Sequence, residues 1–108
     1  MLFRSLGALD AAKSKKVFGI GVDADQSGVG PQVITSAVKK VDQAVFLTIK
    51  DLSAGKFAGG TDRIFALKDG GVGLGKISAK VPAAIKAKLA KVTADIKAGK
   101  IKIPATVK

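Results

Sequence analysis

In Val17-Phe18-Gly19-Ile20-Gly21-Val22-Asp23-Ala24-Asp25-Gln26, six residues that are all apolar or glycine run straight into acid. A continuously apolar run of this length suits a strand covered on both faces, as in a parallel sheet. Asp23 then falls where the strand stops. In open α/β sheets, ligands bind just outside the carboxyl ends of strands. A carboxylate there only accepts hydrogen bonds, through two oxygens. It can hold two neighbouring hydroxyls at once, as a ribose presents them. A turn or helix-cap aspartate is the alternative reading of Asp23.

A loop with glycine and proline punctuation follows, Gln26-Ser-Gly-Val-Gly-Pro31. Gln32 to Val38 is ambiguous by pattern. Pro31 could open a helix, but Val33, Ile34, Thr35 and Val38 are β-branched and favour a strand. Upstream, Leu6 to Lys16 reads as the end of a helix, with alanines and leucine inside and lysines at its C-terminus. Val41 to Ala54 reads as a helix whose stripe is Val41, Val45, Ile49 and Leu52, with Gly55 as its cap. Residues 57–61 read as loop. Arg63 to Lys68 reads as a strand, and Val72-Gly-Leu74 as its hairpin partner across the Asp69-Gly-Gly turn. A last helix spans about Pro82 to Ala98, with Pro82 at its first position and Gly99 beyond its end. Its stripe, Ile85, Leu89, Val92 and Ile96, suits packing on a sheet. Ala-Gly-Lys closes both long helices, at 54–56 and 98–100, and reads as a shared cap.

Two glycine spellings suggest nucleotide chemistry and fail on context. Gly19-Ile-Gly21-Val-Asp-Ala24 has the letters of a dinucleotide fingerprint, but its glycines lie inside the strand instead of after it. Gly70-Gly-Val-Gly-Leu-Gly75-Lys76 spells a P-loop up to its lysine, but Ile77 stands where Ser or Thr should hold magnesium. No helix start follows at once either, as a phosphate site needs. The third class is nucleic-acid binding, raised by a net charge of +11. Only Arg4 and Arg63 of the 19 basic residues are arginine, and there is no Tyr or Trp to form a stacking platform. A small lysine-rich nucleic-acid-binding protein is therefore the alternative function, and a solvated lysine surface the plainer reading.

With no cysteine and no histidine, disulfides, thiol catalysis and cysteine or histidine metal sites are excluded. No cofactor or metal is expected. No apolar run approaches the ~20 residues that span a bilayer. At 108 residues the chain is at most one domain, able to bury roughly two thirds of its unfolded surface.

The phrases Gly-Val-Asp-Ala-Asp-Gln (21–26), Thr-Ser-Ala-Val-Lys-Lys-Val-Asp-Gln-Ala-Val (35–45) and Ala-Gly-Lys-Phe-Ala-Gly-Gly (54–60) resemble the basic membrane protein (BMP) family. Leu67-Lys-Asp-Gly-Gly-Val-Gly-Leu74 and Ile96-Lys-Ala-Gly-Lys-Ile-Lys-Ile-Pro104 continue the likeness. These are substrate-binding lipoproteins of ABC importers, whose best-known members bind purine nucleosides. The resemblance covers about residues 6–104 but only the last third of a family member. The chain is thus expected to be a C-terminal part of such a protein, and residues 1–5 a leader outside the family pattern, as a translated sequencing adaptor would be.

The resemblance implies an α/β fold of the type I periplasmic-binding-protein kind. This segment would contribute strands and helices to two Rossmann-like lobes, one strand crossing between them at Gln32–Val38, with a C-terminal helix. It implies that Asp23 accepts hydrogen bonds from ligand ribose hydroxyls and that Lys39 reaches the bound nucleoside. Asp25 and Gln26, on the same loop, are second candidates. A charged acceptor and a three-donor ammonium suit that task in a closed cleft. The implied partners are a small solute and the ABC permease subunits, with no enzymatic step and no nucleic acid. The implied location is the periplasm or the outer face of the membrane, through a lipid anchor that this sequence does not contain.

Overall fold

The computed structural model describes residues 2–104 and 106. The chain divides into two compact units, with the break between Ser78 and Ala79. The first holds α1 (Leu2–Ser14), β1 (Gly19–Asp23), a short 3-10 turn (Ser27–Val29), β2 (Val33–Lys39), α2 (Val41–Ser53), a second 3-10 turn (Leu67–Asp69) and β3 (Val72–Leu74). The second holds α3 (Ala83–Lys97). The strands form one sheet in the order β1-β2-β3. β1 and β2 are parallel, from Gly19 opposite Val33 to Asp23 opposite Val38, with an irregularity after Gly19. β3 runs antiparallel to β2, pairing Ala37 with Leu74 and Lys39 with Val72. This is the mixed α/β arrangement expected, and β2 settles the ambiguity of residues 32–38 as a strand.

Among the described residues, α1, α2 and α3 end the same way. The Lys16 N–H donates to the Lys13 carbonyl and the Val17 N–H to the Ala12 carbonyl. The pair Gly55–Leu52 and Lys56–Asp51 repeats this after α2, and Gly99–Ile96 and Lys100–Asp95 after α3. These are Schellman closures, each built on one left-handed residue. Gly55 and Gly99 adopt it at φ 67° and 73°, as the Ala-Gly-Lys reading required. After α1 the left-handed residue is Lys16, at φ 55°. Val17 is therefore part of the helix closure, and β1 begins at Gly19, two residues later than the apolar run suggests.

Side chains alternate across a strand, so Gly19 and Gly21 share one face of β1 with Asp23. Leu9 of α1 packs on Gly19, where a Cβ would lie 2.6 Å from Leu9 Cδ2. Leu9 and Val33 are the buried hydrophobic residues among those described; Gln26, Gln32, Thr35 and Ser36 are the buried polar ones. The opposite face carries Ile20 and Val22, which are 62% and 49% exposed. The expectation of a strand covered on both faces is corrected here: β1 is covered only on its glycine face. The stripes of α2 and α3 have the expected spacing, but no residue of either helix is buried.

Residues 63–68 are not a strand. The Asp69 carboxylate accepts the Ala66 N–H at 3.0 Å, and the Ala66 carbonyl accepts the N–H groups of Asp69 and Gly71. These local bonds draw the backbone into a 3-10 turn instead of a ladder. β3 accordingly pairs with β2, not with residues 63–68. The Lys40 N–H to the Gly71 carbonyl and the Gly75 N–H to the Ser36 carbonyl, both 2.8 Å, extend that pairing. Pro82 is the N-cap of α3, one position before the expected one.

Candidate functional site

Because β1 and β2 are parallel, their carboxyl ends lie at the same edge of the sheet. Asp23 ends β1 and Lys39 ends β2, one residue beyond the Val38 that faces Asp23. Lys39 Nζ lies 3.7 Å from Asp23 Oδ1. Both side chains are solvent-accessible, 67% for Lys39 and 45% for Asp23. Paired opposite charges held in reach of solvent at a strand edge can accept from and donate to one polar ligand together.

Asp23 has a left-handed backbone, φ 71°, uncommon outside glycine. The Ala24 N–H donates to the Val22 carbonyl across it at 3.0 Å. This two-residue closure at positive φ is a γ-turn of the strained kind.

The structure places Asp25 and Gln26 on the same loop but in different employment. Asp25 accepts the Ser27 N–H at Oδ1 and the Lys76 N–H at Oδ2, both at 3.0 Å. The Lys76 N–H, then that of Ser27, hold its carboxyl below the ordinary carboxylate range. Gln26 is 5% exposed. Its Oε1 accepts the Val22 N–H at 2.9 Å, and its own N–H donates to Ser36 Oγ at 3.0 Å. The loop therefore folds back over β2 and is tied to the residues after β3. Gly21 makes room for this, since a Cβ there would meet Ser36 Oγ at 2.5 Å and Gln26 at 2.8 Å.

Beside Lys39 lies a cavity of about 290 Å³ lined by Lys39, Lys40, Val41, Ala44, Phe65, Gly71 and Val72. Phe65 was not singled out by the sequence, which offers only a scattered phenylalanine. Arg63 lies over its ring, 4.6 Å from the centroid, and is ion-paired with Asp51. The Gly70–Lys76 segment is a turn followed by β3, with no helix at its end. Among the described residues no group of three or more acidic, histidine or cysteine side chains is placed to hold a metal ion. None of their helices is long and apolar enough to cross a membrane.

Open α/β proteins bind their ligands outside the carboxyl ends of parallel strands, and Asp23 and Lys39 stand at that edge. The family is specific: the profile described as ABC transporter substrate-binding protein PnrA-like (Bmp) matches residues 3–107, and the chain belongs to that family. It is 36% identical over 115 residues to the ABC transporter nucleoside-binding protein BmpA of Lactococcus lactis subsp. cremoris (strain MG1363), covering 95% of this chain and 32% of that protein. It is 45% identical over 73 residues to Basic membrane protein D of Borreliella burgdorferi (strain JD1), covering 64% of this chain and 21% of that protein.

Among solved structures, the transcriptional activator of the comK gene from Bacillus halodurans superposes with a TM-score of 0.81 at 27% identity, over 89% of this chain and 34% of that one. An ABC transporter solute-binding protein from Conexibacter woesei DSM 14684 superposes with a TM-score of 0.69 at 25% identity, over 93% of this chain and 34% of that one. The chain spans about a third of the length of the Lactococcus relative and of these two structures. Its fold is a segment of the solute-binding-protein fold, as the resemblance implied.

Proposed function

We propose that this chain carries part of the solute site of an ABC-importer substrate-binding protein, and that its solute is a purine nucleoside or a close analogue. The observation that carries this is the Asp23–Lys39 pair at the shared edge of two parallel strands, in a chain of this family. The Lactococcus relative is named a nucleoside-binding protein, which supports the choice of solute. Asp23 accepts hydrogen bonds from two adjacent ribose hydroxyls. Lys39 donates to the ligand and balances the aspartate as water is excluded. Asp25 and Gln26 act from behind, shaping the loop. The solute leaves unchanged, handed to a membrane permease at the outer face of the membrane. That role asks for no catalytic residue, in keeping with relatives named as binding proteins.

The test is far-UV circular dichroism melting of the chain in millimolar inosine, adenosine, ribose and uridine. A ligand that binds only the folded state raises the melting temperature by mass action. Inosine and adenosine should raise it in the unsubstituted chain and not in Asp23→Asn or Lys39→Met. Equal melting in all four solutes would overturn the proposal.

A further inference from the structure

We propose that Gln26 and Ser36 are positioning residues for Asp23, together forming a clamp that holds it in its strained left-handed turn with the carboxylate presented at the strand edge. The inference rests on the reading of Asp23 as the ligand acceptor, and it explains how that acceptor is kept in place.

Three observations converge. First, Asp23 carries φ 71° with the Ala24 N–H closed onto the Val22 carbonyl. Such a turn is unfavourable for any residue with a Cβ and persists only where its surroundings over-determine it. Second, the groups that fix its flanks come from a buried side chain. Val22 donates its N–H to Gln26 Oε1 at 2.9 Å, and Gln26 donates its N–H to Ser36 Oγ at 3.0 Å. Ser36 is fully buried and stands opposite Gly21 in the parallel ladder. The turn is thus bracketed on both sides by bonds that lead into the sheet.

Third, Gln26 Nε2 is buried without a hydrogen-bond partner. An unpaired buried donor is a cost that an apolar side chain of similar size would not carry. What the structure uses is therefore the acceptor Oε1, aimed at the residue before Asp23. Asp25 adds a tie at the far side of the loop through Lys76.

The experiment is a stability cycle on the full chain without ligand, by urea unfolding followed with circular dichroism. D23A and D23G both remove the carboxylate and its ion pair, so their difference reads the backbone alone. At a left-handed position the D23G chain should be the more stable, with an unfolding constant about fivefold lower than that of D23A. At an ordinary strand end the order reverses, because glycine costs entropy.

Each pair is then made in a Q26M background, which keeps volume and loses the acceptor, and in an S36A background. If these residues hold the turn, the D23G advantage vanishes in both. A D23A chain as stable as D23G in the first comparison overturns the strained turn. A D23G advantage that survives both backgrounds overturns the clamp. Should a background fail to fold, amide exchange in the unsubstituted chain decides: Ala24 protected to the same degree as Gln26 supports coupling, and Ala24 exchanging freely beside a protected Gln26 refutes it. No nucleoside enters this cycle, so its failure leaves the solute reading standing. Failure of the melting test, in turn, leaves the clamp standing.

Discussion

Gly21→Ala should be among the most damaging single-methyl changes available in this chain. A Cβ at that position would stand 2.5 Å from Ser36 Oγ and 2.8 Å from both Gln26 Cβ and Gln26 Oε1. Real Cβ atoms do not tolerate such distances, so either Ser36 or the loop must move. Ser36 is fully buried and accepts the Gln26 N–H, so its movement also breaks that bond. Displacing Gln26 breaks its bonds to Val22 and Ser36. Overpacking of a filled site costs about 1–3 kcal/mol, and each broken hydrogen bond about 1 kcal/mol more.

With both bonds lost, a destabilisation of about 3–5 kcal/mol follows, a large share of the 5–15 kcal/mol that holds an ordinary domain. Gly7→Ala is the control of opposite sign. Gly7 lies inside α1 with no other residue's atom within 4 Å of where a Cβ would stand, the helix's own backbone aside, so alanine should stabilise by about 0.5–1 kcal/mol. The chain has no Trp or Tyr, so urea unfolding is followed by far-UV circular dichroism and extrapolated linearly. Gly21→Ala unfolding at the same urea midpoint as the unsubstituted chain would refute the reasoning. It would mean that the loop does not lie over β2 as described.

Leu9→Ala should cost about 2–4 kcal/mol, since Leu9 is 4% exposed and covers Gly19; the same urea titration measures it. Lys39→Met should change stability by less than about 1 kcal/mol, because the Asp23 pair is solvent-exposed, while abolishing any melting shift caused by inosine. Acid should loosen the loop through Asp25. Its carboxyl is held below the ordinary carboxylate range in the folded state, so its contribution is present above the unfolded value and lost as pH falls through the folded one. Protection of the Lys76 and Ser27 amides, measured against their intrinsic exchange rates, should therefore fall below the ordinary carboxylate range, and Asp25→Ala should remove it at every pH.

Much of the fold was legible because local pattern and tertiary outcome agree. α2 and α3 lie within a residue or two of their expected bounds, marked by stripe spacing and by Gly55 and Gly99. Asp23 was legible as a strand-end acid because the apolar run stops there. Where local and long-range forces differ, the pattern misled. Ile64-Phe65-Ala66-Leu67 has strand composition, yet the Asp69 carboxylate captures the Ala66 N–H and winds the chain into a turn. Val17 has strand character too, and is consumed by the helix closure on Lys16.

The second-rank site residues show the same limit. Nothing local to Gln26 announces that it is buried, because its partners are Val22 and Ser36, the latter ten residues away across the sheet. The proximity of Phe65 to Lys39 is likewise a product of the β2–β3 pairing, and no spacing in the sequence encodes it.

The most direct test of the central claim is a proton–nitrogen correlation NMR titration of the labelled chain with inosine, carried to about 10 mM so that even a weak site of about −4 kcal/mol fills. Saturable shifts at Val22 to Gln26 and at Lys39, absent from the Asp23→Asn chain, are the expected result. Dispersed peaks that do not move at those residues over the whole range would contradict the assignment of Asp23 and Lys39 as the nucleoside contacts.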